Sequence, residues 1–211
     1  MRKTEQIDVI IPLGDKPSKS ANLELRFALR SIEKNLLDVR NVYIVTETLP
    51  DWLDNVIHVK CSDTLKHNKD GNIINKVLAA LENSGEKHID VLDSFVFMAD
   101  DNIIVKPMKS SEFGYYHLGS LAKKKFDDTN NWHIKLRNDL NRLMEEKKPV
   151  WNWESHCPVV MDKYKFITTY RMHYPDYDIE EQGYTIYTMY FNNYIPEVFS
   201  LAKGVKETHE D

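Results

Sequence analysis

The sequence predicts an α/β domain with a mixed, mainly parallel sheet flanked by helices. Two runs, residues 8–13 (DVIIPL) and 94–98 (SFVFM), are almost wholly apolar and rich in β-branched or aromatic residues. That is the pattern of strands buried on both faces. Segments of helical periodicity lie between them, in the order strand, helix, strand, strand, helix, strand. Such an order belongs to a sheet joined by helical crossovers.

Residues 8–13 end at Gly14, Asp15, Lys16 and Pro17, a turn signal. In residues 20–35, Leu25, Leu29, Ile32 and then Leu36 recur at spacings of three and four, which makes one apolar helical face. Ser20 or Asn22 is placed to cap its start. A second strand covers 41–47 and a short third 56–59. Residues 72–82 read as a second helix, with Ile73, Val77, Ala80 and Leu81 on one side. The strand at 94–98 runs straight into Ala99, Asp100, Asp101 and Asn102. Beyond it the pattern is less regular. Residues 123–125 and 127–131 are polar, and 132–148 are helical with Ile134, Leu136, Leu140, Leu143 and Met144 apolar. Residues 149–158 (PVWNWESHCP) form a loop entering a strand, and 161–170 a short helix. The run 184–191 (YTIYTMYF) fits a strand or a buried helix, which periodicity does not separate.

The 211 residues suffice for one hydrophobic core. With no linker and no repeat, the expectation is a single domain over 1–206 and a disordered tail at 207–211. A net charge of -5 and a pI near 5.9 argue against a basic nucleic-acid groove and suit a cation site. Cys61 and Cys157 are too few for a disulfide framework and read as free thiols in a reducing compartment. No run approaches the ~20 apolar residues of a membrane span. The apolar run after the N-terminus is too short for a signal peptide, so a cytoplasmic protein is expected.

The sharpest chemical feature is Asp100 with Asp101 at the end of an apolar strand. Ligands collect outside the carboxyl ends of strands in open α/β sheets. Two carboxylates there suit Mg²⁺ or Mn²⁺, which in turn binds a diphosphate. A solvated turn is the plain alternative. Pro12, Leu13 and Gly14 close the first strand at the same edge. Arg26 and Arg30 share a face of the first helix and suit an anionic ligand. His156, between Trp151, Trp153 and Pro158, is a candidate base, with Arg171 and His173 further on. Asp176, Asp178, Glu180 and Glu181 read as a solvated acidic run.

Residues 22–35 (NLELRFALRSIEKN) resemble the ELRYSLRSIEK signature of the Stealth family of bacterial capsule sugar-phosphate transferases. Residues 39–46 (VRNVYIVT) and Pro50, Asp51, Trp52 and Leu53 are similar to its VRKIYIVT and PxWL run. Asn75, residues 97–102 (FMADDN), His156-Cys157-Pro158 and Arg171 resemble later motifs. The likeness covers about half of the 211 residues. It implies a GT-A-like domain and transfer from a nucleotide-sugar donor to a carbohydrate or other hydroxyl acceptor. In that reading Asp100 and Asp101 hold Mn²⁺ or Mg²⁺, and Arg26, Arg30 and Asn75 position the donor with Pro12, Leu13 and Gly14. His156, Asp101 and Arg171 are then the catalytic candidates. The short chain and the different opening motif (residues 10–15) favour glycosyl transfer over the family's hexose-1-phosphate transfer. A non-catalytic nucleotide- or sugar-binding module is the alternative from another class. A nucleic-acid acceptor would use Lys123, Lys124, Lys125 and Trp132, against the overall charge.

Overall fold

The structure is a computed structural model that describes residues 6–16, 18, 20–82, 89–180 and 183–195. The tail expected at 207–211, Pro17 of the first turn and Glu181 of the acidic run lie outside the described residues. Five strands form one sheet: β1 (Ile7–Pro12), β2 (Val39–Thr46), β3 (Ile57–Lys60), β4 (Ser94–Phe97) and β5 (Val159–Asp162). Their spatial order is β3-β2-β1-β4-β5. The first four strands run parallel, and β5 pairs antiparallel with β4, Phe97 opposite Val159.

Among the described residues, five α-helices accompany the sheet: α1 (Leu23–Asn35), α2 (Lys69–Glu82), α3 (Asn131–Glu145), α4 (Lys163–Thr168) and α5 (Ile186–Asn193). Side chains of β1 alternate between two cores. Val9 and Ile11 join Leu25, Ala28 and Ile32 of α1, while Ile10 joins Ile74, Val77, Leu78 and Leu81 of α2. Helices therefore cover both faces, as two-faced apolar strands require. Among the described residues, no helix is long and apolar enough to cross a membrane.

Several local expectations change. Asn22 precedes α1 in a left-handed conformation (φ 60°) and makes no capping bond. Its side chain instead accepts from the Ser18 N–H at 2.9 Å, closing the turn before the helix. On α3 the buried face carries Lys135 and Asp139 beside Leu136 and Leu143, while Met144 is 60% exposed. Both polar groups have partners there: Lys135 meets Asp70 at 2.6 Å, and Asp139 accepts from the Thr185 N–H at 3.1 Å. The run 184–191 is mostly helix. Every residue of α5 except Asn193 is buried, so no polar face marks its period. Met161 lies in β5, which ends at Asp162, and α4 passes into a π-helical turn, Thr169–His173.

Asp8 is the polar residue inside β1 and is fully buried. Arg40 of β2 grips its carboxylate through Nε at 2.9 Å and a second nitrogen at 2.5 Å, and the Leu92 N–H donates at 2.9 Å. One carboxylate thus ties β1, β2 and the approach to β4. Removing the guanidinium would strand a buried charge. Arg40→Leu should cost about 3–5 kcal/mol in urea denaturation; a loss within 1 kcal/mol, the scale of a surface pair, would show that water replaces the guanidinium.

Candidate functional site

All four parallel strands end at one edge of the sheet, and β5 begins there because it runs the other way. Asp100, Asp101 and Asn102 leave β4 at this edge. Asn102 is the staple of the turn. Its side-chain oxygen accepts from the Ala99 N–H at 3.2 Å, and its amide donates to the His156 carbonyl at 3.0 Å. That bond crosses 54 positions of sequence and brings the histidine loop to the Asp pair. His156 has φ 52°, uncommon for a non-glycine residue, and the Asn102 bond helps hold it so.

The imidazole of His156 lies between two aromatic rings. Trp132, in the first turn of α3, is 6.0 Å away at a 32° tilt, and Tyr187 of α5 is edge-on at 6.5 Å. Burial, and then the neighbouring Asp101 charge, push the Asp100 carboxyl up. Glu24 adds to that rise and Lys69, at the start of α2, opposes it. A cation would relieve this repulsion. Among the described residues, no group of three or more His, Cys, Asp or Glu side chains is arranged to hold a metal by itself. A magnesium-type site needs fewer protein ligands, since substrate phosphates and waters complete it. Two carboxylates at a strand end meet that requirement.

Next along the edge, Pro12, Leu13 and Gly14 follow β1. A Cβ on Gly14 would make ordinary van der Waals contact, 3.9 Å from the Asp63 carboxylate and from the Lys16 carbonyl. Beneath this turn stands Lys76 of α2, which sequence reasoning missed. Its buried ammonium donates to the Leu13 carbonyl at 2.7 Å and pairs with Asp15 at 2.9 Å and Asp63 at 2.6 Å. Burial works to raise the Asp15 carboxyl. The Lys76 bond and the N–H groups of Asp63 and Glu47 outweigh it and hold the group below its usual value. The signal was present: Lys76 lies three positions after Ile73 and four before Ala80, on the apolar side of a helix.

Other expected residues stand apart. Arg26 stacks over the Trp52 ring at 4.4 Å. Arg30 is exposed on the outer side of α1, about 10 Å along the axis from Leu23. Asn75 accepts from the Tyr177 hydroxyl at 2.6 Å. Arg171 pairs with Glu82 through two nitrogens, at 2.9 and 2.7 Å. Glu82 ends α2, about 20 Å from the Lys69 end that faces Asp100. The structure therefore does not bring Arg171 to His156. Of the acidic run, Glu180 accepts from the Lys66 and His67 N–H groups, at 2.6 and 2.7 Å. A polar cavity of about 180 Å³, lined by Asn138, Asn141, Arg142, Glu145, Asp176 and Tyr184, shares no residue with the strand edge.

The loop that carries His156 is anchored by a buried acid. Glu154 accepts from the Thr188 N–H at 2.7 Å, in the first turn of α5. Burial, with a contribution from the Asp70 charge, pushes its carboxyl from 4.5 up to about 7. No protein-family model and no curated protein matches this chain.

The raised Glu154 value sets a pH dependence. Between 4.5 and about 7 the folded chain keeps a proton that the unfolded chain releases. This contribution to stability is complete below 4.5 and is lost as the pH rises to about 7. Glu154→Gln keeps an acceptor for Thr188 and does not titrate. The stability difference between parent and variant should therefore drift across that window, by up to about 1.4 kcal/mol per pH unit. A difference that stays constant from acid to neutral pH would mean that folding leaves the Glu154 carboxyl unshifted.

Proposed function

We propose that this chain is a metal-dependent glycosyltransferase with a GT-A-like domain, which takes a sugar from a nucleotide-sugar donor to a hydroxyl acceptor. The observation that carries the reading is the Asn102 staple, which joins the Asp100–Asp101 turn to the His156 loop at the carboxyl edge of the sheet. The sequence likeness to Stealth-type transferases supports it from the side of α1, β2 and β4. Asp100 and Asp101 would hold Mg²⁺ or Mn²⁺, which supplies positive charge to the donor diphosphate.

The remaining work falls to the chain's own groups. The turn after β1, braced by Lys76, Asp15 and Asp63, offers a preformed wall for the nucleoside. Trp132 and Tyr187 confine the His156 ring. At His156 an acceptor hydroxyl gives up its proton as its oxygen bonds to the sugar C1. The C1–O bond to phosphate breaks with its electron pair, and a nucleoside diphosphate departs. A nucleoside monophosphate among the products would instead mark hexose-1-phosphate transfer.

Asp100→Asn and Asp101→Asn should each abolish the Mn²⁺-dependent thermal shift given by nucleoside diphosphates. At ~100 times its dissociation constant, a ligand adds roughly 2.7 kcal/mol to the parent. If both variants respond like the parent, the pair is only a turn.

His156→Ala should lower transfer by about 10²–10⁴-fold while donor affinity holds. A stable variant with full turnover would remove His156 from the chemistry. Loss of stability and donor binding together would assign it to packing.

A further inference from the structure

The loop that carries His156 rests on the first turn of α5. The Trp153 N–H donates to the Thr188 hydroxyl at 3.2 Å, and the Thr188 N–H donates to Glu154 at 2.7 Å. The Thr188 hydroxyl keeps its own proton for the same carboxyl. Earlier in the loop, Trp151 exchanges two bonds with the Asn192 side-chain amide, at 3.0 and 2.7 Å. Thr185, just before α5, reaches α3 instead, where its N–H donates to Asp139 at 3.1 Å.

One hydroxyl in this arrangement has two carboxyl partners. Thr185 Oγ1 is hydrogen-bonded to Asp139 and also to Glu154. A hydroxyl has a single proton to give. It donates to one carboxyl and accepts from the other, and only a protonated carboxyl can donate. Both acids are buried, Asp139 wholly and Glu154 to 3% exposure. Around them stand Asp70 of α2, Lys135 of α3, Tyr170 of the π-helical turn, Tyr184 just ahead of α5 and Tyr187 within it. Lys135 is taken by Asp70 at 2.6 Å and by the Asn68 side-chain oxygen at 2.8 Å. Among the described residues, neither Glu154 nor Asp139 has a salt bridge of its own. Burial pushes the three tyrosine hydroxyls up, so they stay neutral. Burial raises both carboxyls as well, in keeping with the count of donors.

We infer that Glu154 and Asp139 hold a proton in common through the Thr185 hydroxyl, and that its loss to water frees the His156 loop from α5 at Trp153 and Glu154. Two buried carboxylates with no proton between them repel across one hydroxyl. Asp139 is fixed in the middle of α3, whereas Glu154 lies on a loop whose next residues, Ser155 and His156, are part-exposed and exposed. Glu154 is therefore the partner that moves out to water. Trp151, still bonded to Asn192, is the hinge. The loop is held in acid and released toward neutral pH. Only the consequence for transfer, a His156 base that loses its fixed position as the pH rises, rests on the proposed function.

The test uses the full chain without nucleotide or metal. Amide hydrogen exchange is followed by NMR from pH 4.5 to above 7, and each rate is divided by the intrinsic rate of that amide. In the held loop the Glu154 carboxyl keeps its proton up to about 7, and in the released loop it gives it up above 4.5. Between these values each opening releases a proton. The opening constants of the Trp153 and Thr188 N–H groups should therefore rise about tenfold per pH unit and then level off. The Trp151 N–H, bonded to Asn192, should stay level. Glu154→Gln should flatten the rise. Asp139→Asn leaves the Thr185 hydroxyl to Glu154 alone, so the rise should level off at a lower pH than in the parent. Level Trp153 and Thr188 amides in the parent overturn the inference, as does an undiminished rise in Glu154→Gln. An equal rise at Trp151 and in β1 overturns it too, since the whole fold is then loosening. An Asp139→Asn rise that levels off at the parent's pH means that Glu154 holds its proton alone, and overturns the shared proton. None of these readings involves a donor, so failed transfer assays would count against the transferase function alone.

Discussion

Strand β1 has no side on which water could take the place of protein. β2 and β4 occupy its hydrogen-bonding edges, α1 covers Val9 and Ile11, and α2 covers Ile10. A strand so enclosed tolerates a charge only with a complete set of partners, and Asp8 has one in Arg40 and the Leu92 N–H. Because every neighbour up to β3 runs parallel to β1, their carboxyl ends converge. Polar groups that the core rejects collect at that edge: Asp15 after β1, Asp63 after β3, and Asp100 and Asp101 after β4.

Charge at the edge is arranged in two ways. Around Lys76 the carboxylates of Asp15 and Asp63 share an ammonium and also accept each other's backbone N–H groups. That corner is satisfied by the protein alone. At Asp100 the neighbouring charge is another carboxylate, and burial worsens the repulsion. Such an arrangement costs stability unless something positive arrives. The contrast separates a corner whose charges the protein itself pairs from one where two carboxylates stand side by side.

The sheet was legible because its signal is local. Two-faced burial of β1 and β4 shows as unbroken apolar runs, and the one-sided burial of α1 as a three-and-four spacing. The Asp pair was legible as the point where such a run stops. What escaped notice depends on distant partners. Lys76 is held by a residue 61 positions away, Arg171 by one 89 away, and Asn102 holds a carbonyl 54 away. Nothing in the residues around Arg171 distinguishes a lysed-out, ligand-seeking arginine from one clamped by Glu82. Likewise Lys135 and Asp139 break the apolar pattern of α3 because partners on other elements take them up: Asp70 pairs with Lys135, and Thr185 donates hydrogen bonds to Asp139. The run at α5 stayed ambiguous for the opposite reason: burial all round leaves no period to read.

The reversed direction of β5 has a topological consequence. A parallel strand reaches the sheet from the far edge, so its preceding connection must cross a face. β5 instead begins at the carboxyl edge, opposite Phe97, and residues 146–158 arrive there directly from α3. One side of the carboxyl edge is thus formed by turns that leave strands, and the other by a segment that enters one. Lengthening or shortening the incoming segment reshapes its own side without altering the register of any parallel pair. The two sides are therefore held by different means, one by the pairing of the sheet and the other by the bonds of Trp151 to Asn192 and of Glu154 to Thr188.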